Sequence, residues 1–161
     1  MNLKRSRDTI THKDLVHAYN DFVHVLRAKR DRFPPPTPKE LASVYSKLMS
    51  TCLRLSHFNF TSTQRMTYVH EAEKAAKRAL ENAIKSKNND RVVQMQFYLT
   101  CVKAREFQLR STVEQFQKPT PAERDAAAEA ISVAWATLRC IENLDMSVYD
   151  AMAKEATSQL R

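Results

Sequence analysis

The segment TSTQRMTYVHEAEKAAKRALENAIKSKN, residues 61–88, decides the fold class. Met66, Val69, Ala72, Ala76, Leu80 and Ala83 recur every three or four residues, which puts them on one face of an α-helix over about 62–87. Thr61 stands ahead of that pattern with Gln64 three positions later. At this spacing the hydroxyl accepts from the N3 amide and the N3 side chain reaches back. Asn88 follows Lys87 as a stop and as the best candidate for a left-handed cap. Charges occupy the other side: Glu73 and Glu81 stand four residues ahead of Lys77 and Lys85, the favourable order for helix-surface pairs. The small residues of the apolar face let a neighbouring helix approach closely.

The same grammar repeats in both directions. Thr11-His-Lys-Asp14, Thr37-Pro-Lys-Glu40, Thr120-Pro-Ala-Glu123 and Ser147-Val-Tyr-Asp150 are further capping boxes, two of them with Pro at the first helical position. Another start, at Asn89 or Asp90, follows the Lys87-Asn88 stop. Helices are therefore expected over about 11–31, 38–56, 90–117, 121–143 and 148–160 as well. In the one beginning near residue 90, Val92, Met95, Leu99 and Val102 lie on one side with Val93, Phe97 and Cys101 beside them. That breadth describes a central helix covered from two directions. Ile131, Trp135 and Leu138 fall in register, with Trp135 expected as a buried core anchor. Phe33-Pro-Pro-Pro-Thr-Pro38 reads as an extended hinge, because Pro disfavours helix in the residue before it. Hairpin dipeptides and period-two alternation are absent. The expectation is an all-α chain of five or six antiparallel helices in one domain over 1–161, a bundle or stacked hairpins, with residues 1–10 as a flexible basic tail.

Ala76, Leu80 and Ala83 followed by Asn88 resemble the second half of a tetratricopeptide repeat, where a small–large–small pattern precedes a helix breaker. The resemblance covers about 15 residues. It implies stacked helical hairpins and a peptide-binding scaffold. The following helix departs from that pattern, with Tyr98 and Arg110 where the family has small residues.

Composition narrows the chemistry. The 161-residue chain contains no glycine, so phosphate-cradling loops, dinucleotide fingerprints and nucleophile elbows are excluded, since each needs a backbone that only Gly supplies. Three scattered cysteines, Cys52, Cys101 and Cys140, form neither a disulfide framework nor a zinc site; all three are expected as buried small hydrophobes in a reducing compartment. No apolar run approaches membrane-spanning length, and no apolar stretch follows the basic N-terminal residues Lys4, Arg5 and Arg7. Cytoplasm or nucleus is expected, with a mitochondrial presequence disfavoured by Asp8, Asp14 and Asp21. Asn59-Phe60-Thr61 has the form of a glycosylation sequon without a secretory signal to use it. His17, Asp21 and His24 have helical spacing, yet nothing converges on them as further metal ligands. No cofactor, metal or catalytic residue is expected, and the chain reads as non-enzymatic.

Charge is the remaining signal. Residues 1–33 carry 8 basic and 4 acidic side chains (+4), residues 34–118 carry 14 and 7 (+7), and residues 119–161 carry 4 and 7 (−3). Arg27, Lys29, Arg30 and Arg32 form the densest basic cluster, while Lys74, Arg78 and Lys85 line up along one helix. These seven are the candidate partner-binding residues. The expected role is an adaptor holding a peptide, a helix or an acidic surface of another protein. The alternative is binding to a nucleic-acid backbone through the same basic faces.

Overall fold

The structure, a computed structural model, describes residues 11–31, 34–58 and 60–161. The expected tail 1–10, the sequon residue Asn59, and Arg32 with Phe33 of the hinge lie outside the described residues. Among the described residues six helices follow in order: α1 (His12–Arg30), α2 (Pro38–Leu55), α3 (Ser62–Lys85), α4 (Asn89–Thr112), α5 (Pro121–Leu138) and α6 (Ser147–Gln159). They account for 78% of the described residues, and no strand occurs among these. No described helix is long and apolar enough to cross a membrane.

The caps explain where the helices begin. Thr11, Thr37, Thr61 and Thr120 each accept from the amide three residues on, at 3.1–3.2 Å. The reciprocal arm closes only at Thr11–Asp14 and Thr120–Glu123. There the bonds to the threonine hold both carboxyls below the ordinary carboxylate range. The Ser147 box does not form. Asp145 accepts from the Ser147 amide at 3.0 Å instead, so the helix starts after Met146 and Ser147 lies inside its first turn.

The tight α3–α4 connection shows how a chain without glycine turns. Asn88 donates its amide to the Ala83 carbonyl at 3.1 Å and Lys87 to that of Ile84 at 3.0 Å, the paired bonds of a left-handed helix end. The left-handed residue is Lys87 (φ 57°), not Asn88. Asn88 is committed instead to capping α4, accepting from the Arg91 amide at 3.1 Å. Among the described residues Asn143 (φ 61°) takes the other positive φ, between α5 and α6.

Two cores sit on opposite faces of α4. On one, Met95, Val102 and Leu109 meet Leu48, Met49 and Cys52 of α2 and the buried alanines of α3, with α1 laid over them. On the other, Phe97, Cys101, Ala104 and Phe107 meet Ile131 and Leu138 of α5 and Ala153 and Ala156 of α6. The expected central helix is thus covered from two directions. Ends are where periodicity overreaches. Helix α4 stops at Thr112 because Val113 turns extended, and Val113 and Phe116 fold back onto the first core. Helix α5 stops at Leu138, and Ile141 and Leu144 return to the second core as loop residues. Cys140 consequently faces outward; it is exposed, whereas Cys52 and Cys101 are buried as expected.

Polar pairs fix the directions. Lys29 at the end of α1 meets Glu40 at the start of α2, and Arg110 near the end of α4 meets Glu123 at the start of α5. Trp135 and Arg139 at the end of α5 reach Asp150 at the start of α6. Glu73–Lys103 and His70–Glu106 pair α3 with α4 in opposite directions, whereas Met49, Tyr98 and Met152 at one level and Ser56, Arg105 and Gln159 at the next show that α2, α4 and α6 run the same way.

Candidate functional site

The predicted basic residues do not converge on one site. Arg27 and Arg30 are exposed at the end of α1, while Lys29 is half-buried and paired with Glu40 at 3.0 Å. Lys74, Arg78 and Lys85 follow the exposed side of α3, where Arg78 pairs with Glu81 at 3.5 Å. Lys74 and Lys85 are separated by about 16 Å along the helix axis at the α-helical rise. The helix ends do gather one group: Lys39 in the first turn of α2 and residues Ser86–Asp90 line an open hollow of about 510 Å³. The Lys29–Glu40 pair anchors the end of α1 to that same turn. Lys39 and Lys87 were not among the expected site residues.

A second surface lies where the two cores diverge. Helices α2 and α6 flank α4 without extensive packing on one another, leaving a channel of about 270 Å³ between them. Met49, Ser50, Leu53, Arg54 and His57 form the α2 wall, Met152 and Glu155 the α6 wall, and Tyr98 the floor. A narrower recess of about 40 Å³ continues past Leu53 and Met152 to Cys101 and Arg105 on α4. Tyr98 to Arg105 spans about 10 Å of helix axis, two turns of floor. The middle of the channel is apolar and its far end is cationic. Burial pushes the Cys101 thiol up to about 12, so it presents an uncharged, weakly polar surface. Burial, then the neighbouring Tyr149, also raises the Tyr98 phenol, which stays neutral.

Arg105 ties the floor to the α2 wall. Its Nε donates to Ser56 Oγ at 3.3 Å, one terminal nitrogen to the Ser56 carbonyl at 2.6 Å, and the other to Gln108 Oε1. Ser56 is the C-terminal cap of α2, so a cation sits against the negative end of that helix dipole. Burial, then the charge of Arg65, works against the guanidinium; Glu155 favours it. His57 is held below the usual imidazole value by burial and then by Arg105.

Sequence reading missed this channel. One signal was available: Phe97, Cys101 and Arg105 stand at successive four-residue steps, so a guanidinium occupies a position that the pattern reserves for an apolar side chain. Among the described residues, no group of three or more His, Cys, Asp and Glu side chains converges as a metal-binding set. No family model, curated protein or solved structure matches this chain.

Proposed function

We propose that this protein is a non-enzymatic helical adaptor that holds a segment of a partner protein in the channel between α2 and α6. The observation that carries the reading is the apolar slot itself, open to solvent and built by three parallel helices from two separate cores. Leu53, Tyr98 and Met152 line it half-buried, and the buried Met49 borders it. Unbranched thioethers conform to apolar side chains of varied shape, and an aromatic floor adds rigid contact area. A slot two helical turns long suits one or two anchor side chains from a helix or extended peptide. Free thiols at Cys52, Cys101 and Cys140 fit a cytoplasmic or nuclear setting.

The test is selection of a random-peptide phage library on the full chain, compared with Ser50→Trp. Ser50 is exposed on the channel wall, so an indole there fills the slot without disturbing either core. Peptides are expected to enrich on the wild-type chain and to lose binding to Ser50→Trp at unchanged melting temperature. Equal binding to both proteins contradicts the reading.

The second reading, association with a nucleic-acid backbone, draws support from the hollow beside Lys39 and Lys87 and from exposed Arg27 and Arg30 at the same end. Binding to random-sequence RNA or DNA should then weaken steeply with salt, and neutralising these four residues should flatten that slope. A shallow slope in the wild-type chain removes it.

A further inference from the structure

Arg105 is only 7% exposed, yet every acceptor it uses is neutral: the Ser56 hydroxyl and carbonyl and the Gln108 amide oxygen. A helix end supplies about half a negative charge, which leaves a buried guanidinium partly uncompensated. Its surroundings add positive charge. Arg65 lies close enough to oppose it, and the Nε of Arg65 is buried with no hydrogen-bond partner. Arg54 and His57 stand on the adjoining wall, and Arg54 makes no ion pair among the described residues. The lining has one carboxylate, Glu155, on the opposite wall, and it too is without an ion pair among the described residues.

We infer that the cationic end of the channel is a receptor for a carboxylate of the partner segment, set beside the apolar anchor that occupies the slot. This rests on the channel being a peptide groove and names what it selects: an apolar side chain between Met49, Leu53 and Met152, with an Asp or Glu side chain against Arg54 and His57. Charge complementarity argues for the acid, since the lining offers three cationic or protonatable groups against Glu155 alone. Continuity with an apolar slot argues for a peptide rather than a nucleic-acid strand, whose phosphates need a row of exposed cations.

Two consequences separate this from a general preference for acidic proteins. Glu155 competes with the incoming carboxylate for the same cations, so its removal strengthens binding of an acidic peptide and leaves a neutral one alone. Binding is also coupled to a proton on His57. The charged groups around that imidazole, which sits in the turn after α2, are Arg54 at the end of α2, Arg105 on α4 and Glu155 on α6. In the free protein burial and Arg105 hold its pKa down, and an arriving carboxylate raises it. The complex therefore takes up a proton. Affinity is greatest below the free-state pKa of His57, declines as pH rises through that of the complex, and falls again in acid where the peptide's own carboxyl protonates.

The experiment is fluorescence anisotropy of the full chain with two probes: a peptide selected on the wild-type protein, and its twin with every Asp and Glu replaced by Asn and Gln. The twin is expected to bind about tenfold more weakly, the size of one charge-assisted hydrogen bond. Arg54→Gln should reduce the acidic peptide toward its twin. Glu155→Gln should strengthen the acidic peptide about threefold, a modest charge-pair effect, without moving the twin. His57→Gln should flatten the pH dependence. Both Arg54 and Glu155 are exposed, so melting temperatures should hold. Equal affinity for the twin, or no response to Glu155→Gln, overturns the inference while the peptide groove stands. A library that yields no channel-dependent peptide overturns both.

Discussion

The two cores on α4 are built from different materials. Toward α1–α3, the small side chains lie on α3: Ala72, Ala75, Ala76, Ala79 and Ala83 are all buried, and α2 closes on them with Leu48, Met49, Cys52 and Leu55. Toward α5 and α6 the arrangement is reversed. The bulk lies on α4, in Phe97 and Phe107, and α6 with its cap residue contributes only Ala153, Ala156 and Leu160 to the buried set. Helix α3 is a long element that buries a continuous ridge, whereas α6 is short and leaves Val148 61% exposed. The channel walls therefore belong to unequal neighbours. Helix α2 is gripped by α1 and α3, while α6 rests mainly on α4 and α5. The less anchored wall is the one able to move against an incoming segment, with local opening as its low-energy motion.

Phe97→Ala probes that inequality with the largest effect. Emptying a site that is 0% exposed should cost about 3–5 kcal/mol. Hydrogen exchange should show protection lost across α5 and α6 well before α1–α3. Uniform loss over the whole chain would mean that the cores are one cooperative unit.

Trp135 sharpens the same comparison. The sequence pattern made it a buried anchor, but it is only half-buried, with its indole N–H donating to Asp150 Oδ1 at 2.6 Å and the Arg139 guanidinium 4.6 Å over the ring. It pins α5 to α6 at their joined ends. Trp135→Phe should lower stability by about 1.5–3 kcal/mol, the worth of a hydrogen bond to a charged group. Native fluorescence should be intermediate rather than fully blue-shifted. A Trp135→Phe chain with unchanged melting would remove this pin from the account of the second core.

Smaller effects test the ends of the helices. Thr120→Ala breaks both arms of the α5 capping box and should cost about 1 kcal/mol, measured by urea denaturation. Because the Glu123 carboxyl is held below its ordinary value, its share is present at neutral pH and fades as pH falls through that lowered value. The difference between Thr120→Ala and wild type should therefore narrow in acid. Lys87→Gly should act in the opposite direction, stabilising by up to about 1 kcal/mol, since a Cβ is unfavourable at φ 57°. A destabilised Lys87→Gly would show that the lysine side chain contributes more than its backbone strain costs.

What was legible in the sequence follows from what is local. Each threonine cap and its run of apolar positions reports on a dozen consecutive residues, so helix starts and the double coverage of α4 could be read directly. Helix ends were read too far. Val113, Phe116, Ile141 and Leu144 continue an apolar pattern while belonging to loops that fold back, and periodicity does not distinguish the two. The basic residues were found as a composition, but their placement depends on which helix ends meet, which no local pattern reports. The channel depends on α2 and α6, which are distant in sequence: α6 packs on α4, and α2 reaches α4 through the Ser56–Arg105 bonds. Arg105 was counted as one more charge in a basic body, although its position beside Phe97 and Cys101 marked it as buried.

The most direct test of the channel uses its own methionines. Met152 lines it half-buried and Met49 borders it from within the first core, whereas Met66 and Met95 belong to that core and are not part of the channel lining. Methyl-labelled methionine spectra of the full chain, titrated with a library-selected peptide, should shift the Met49 and Met152 signals and leave those of Met66 and Met95 in place. Unmoved Met49 and Met152 methyls, with shifts confined to backbone amides around Lys39 and Lys87, would place the partner at the basic end and contradict the channel as the working site.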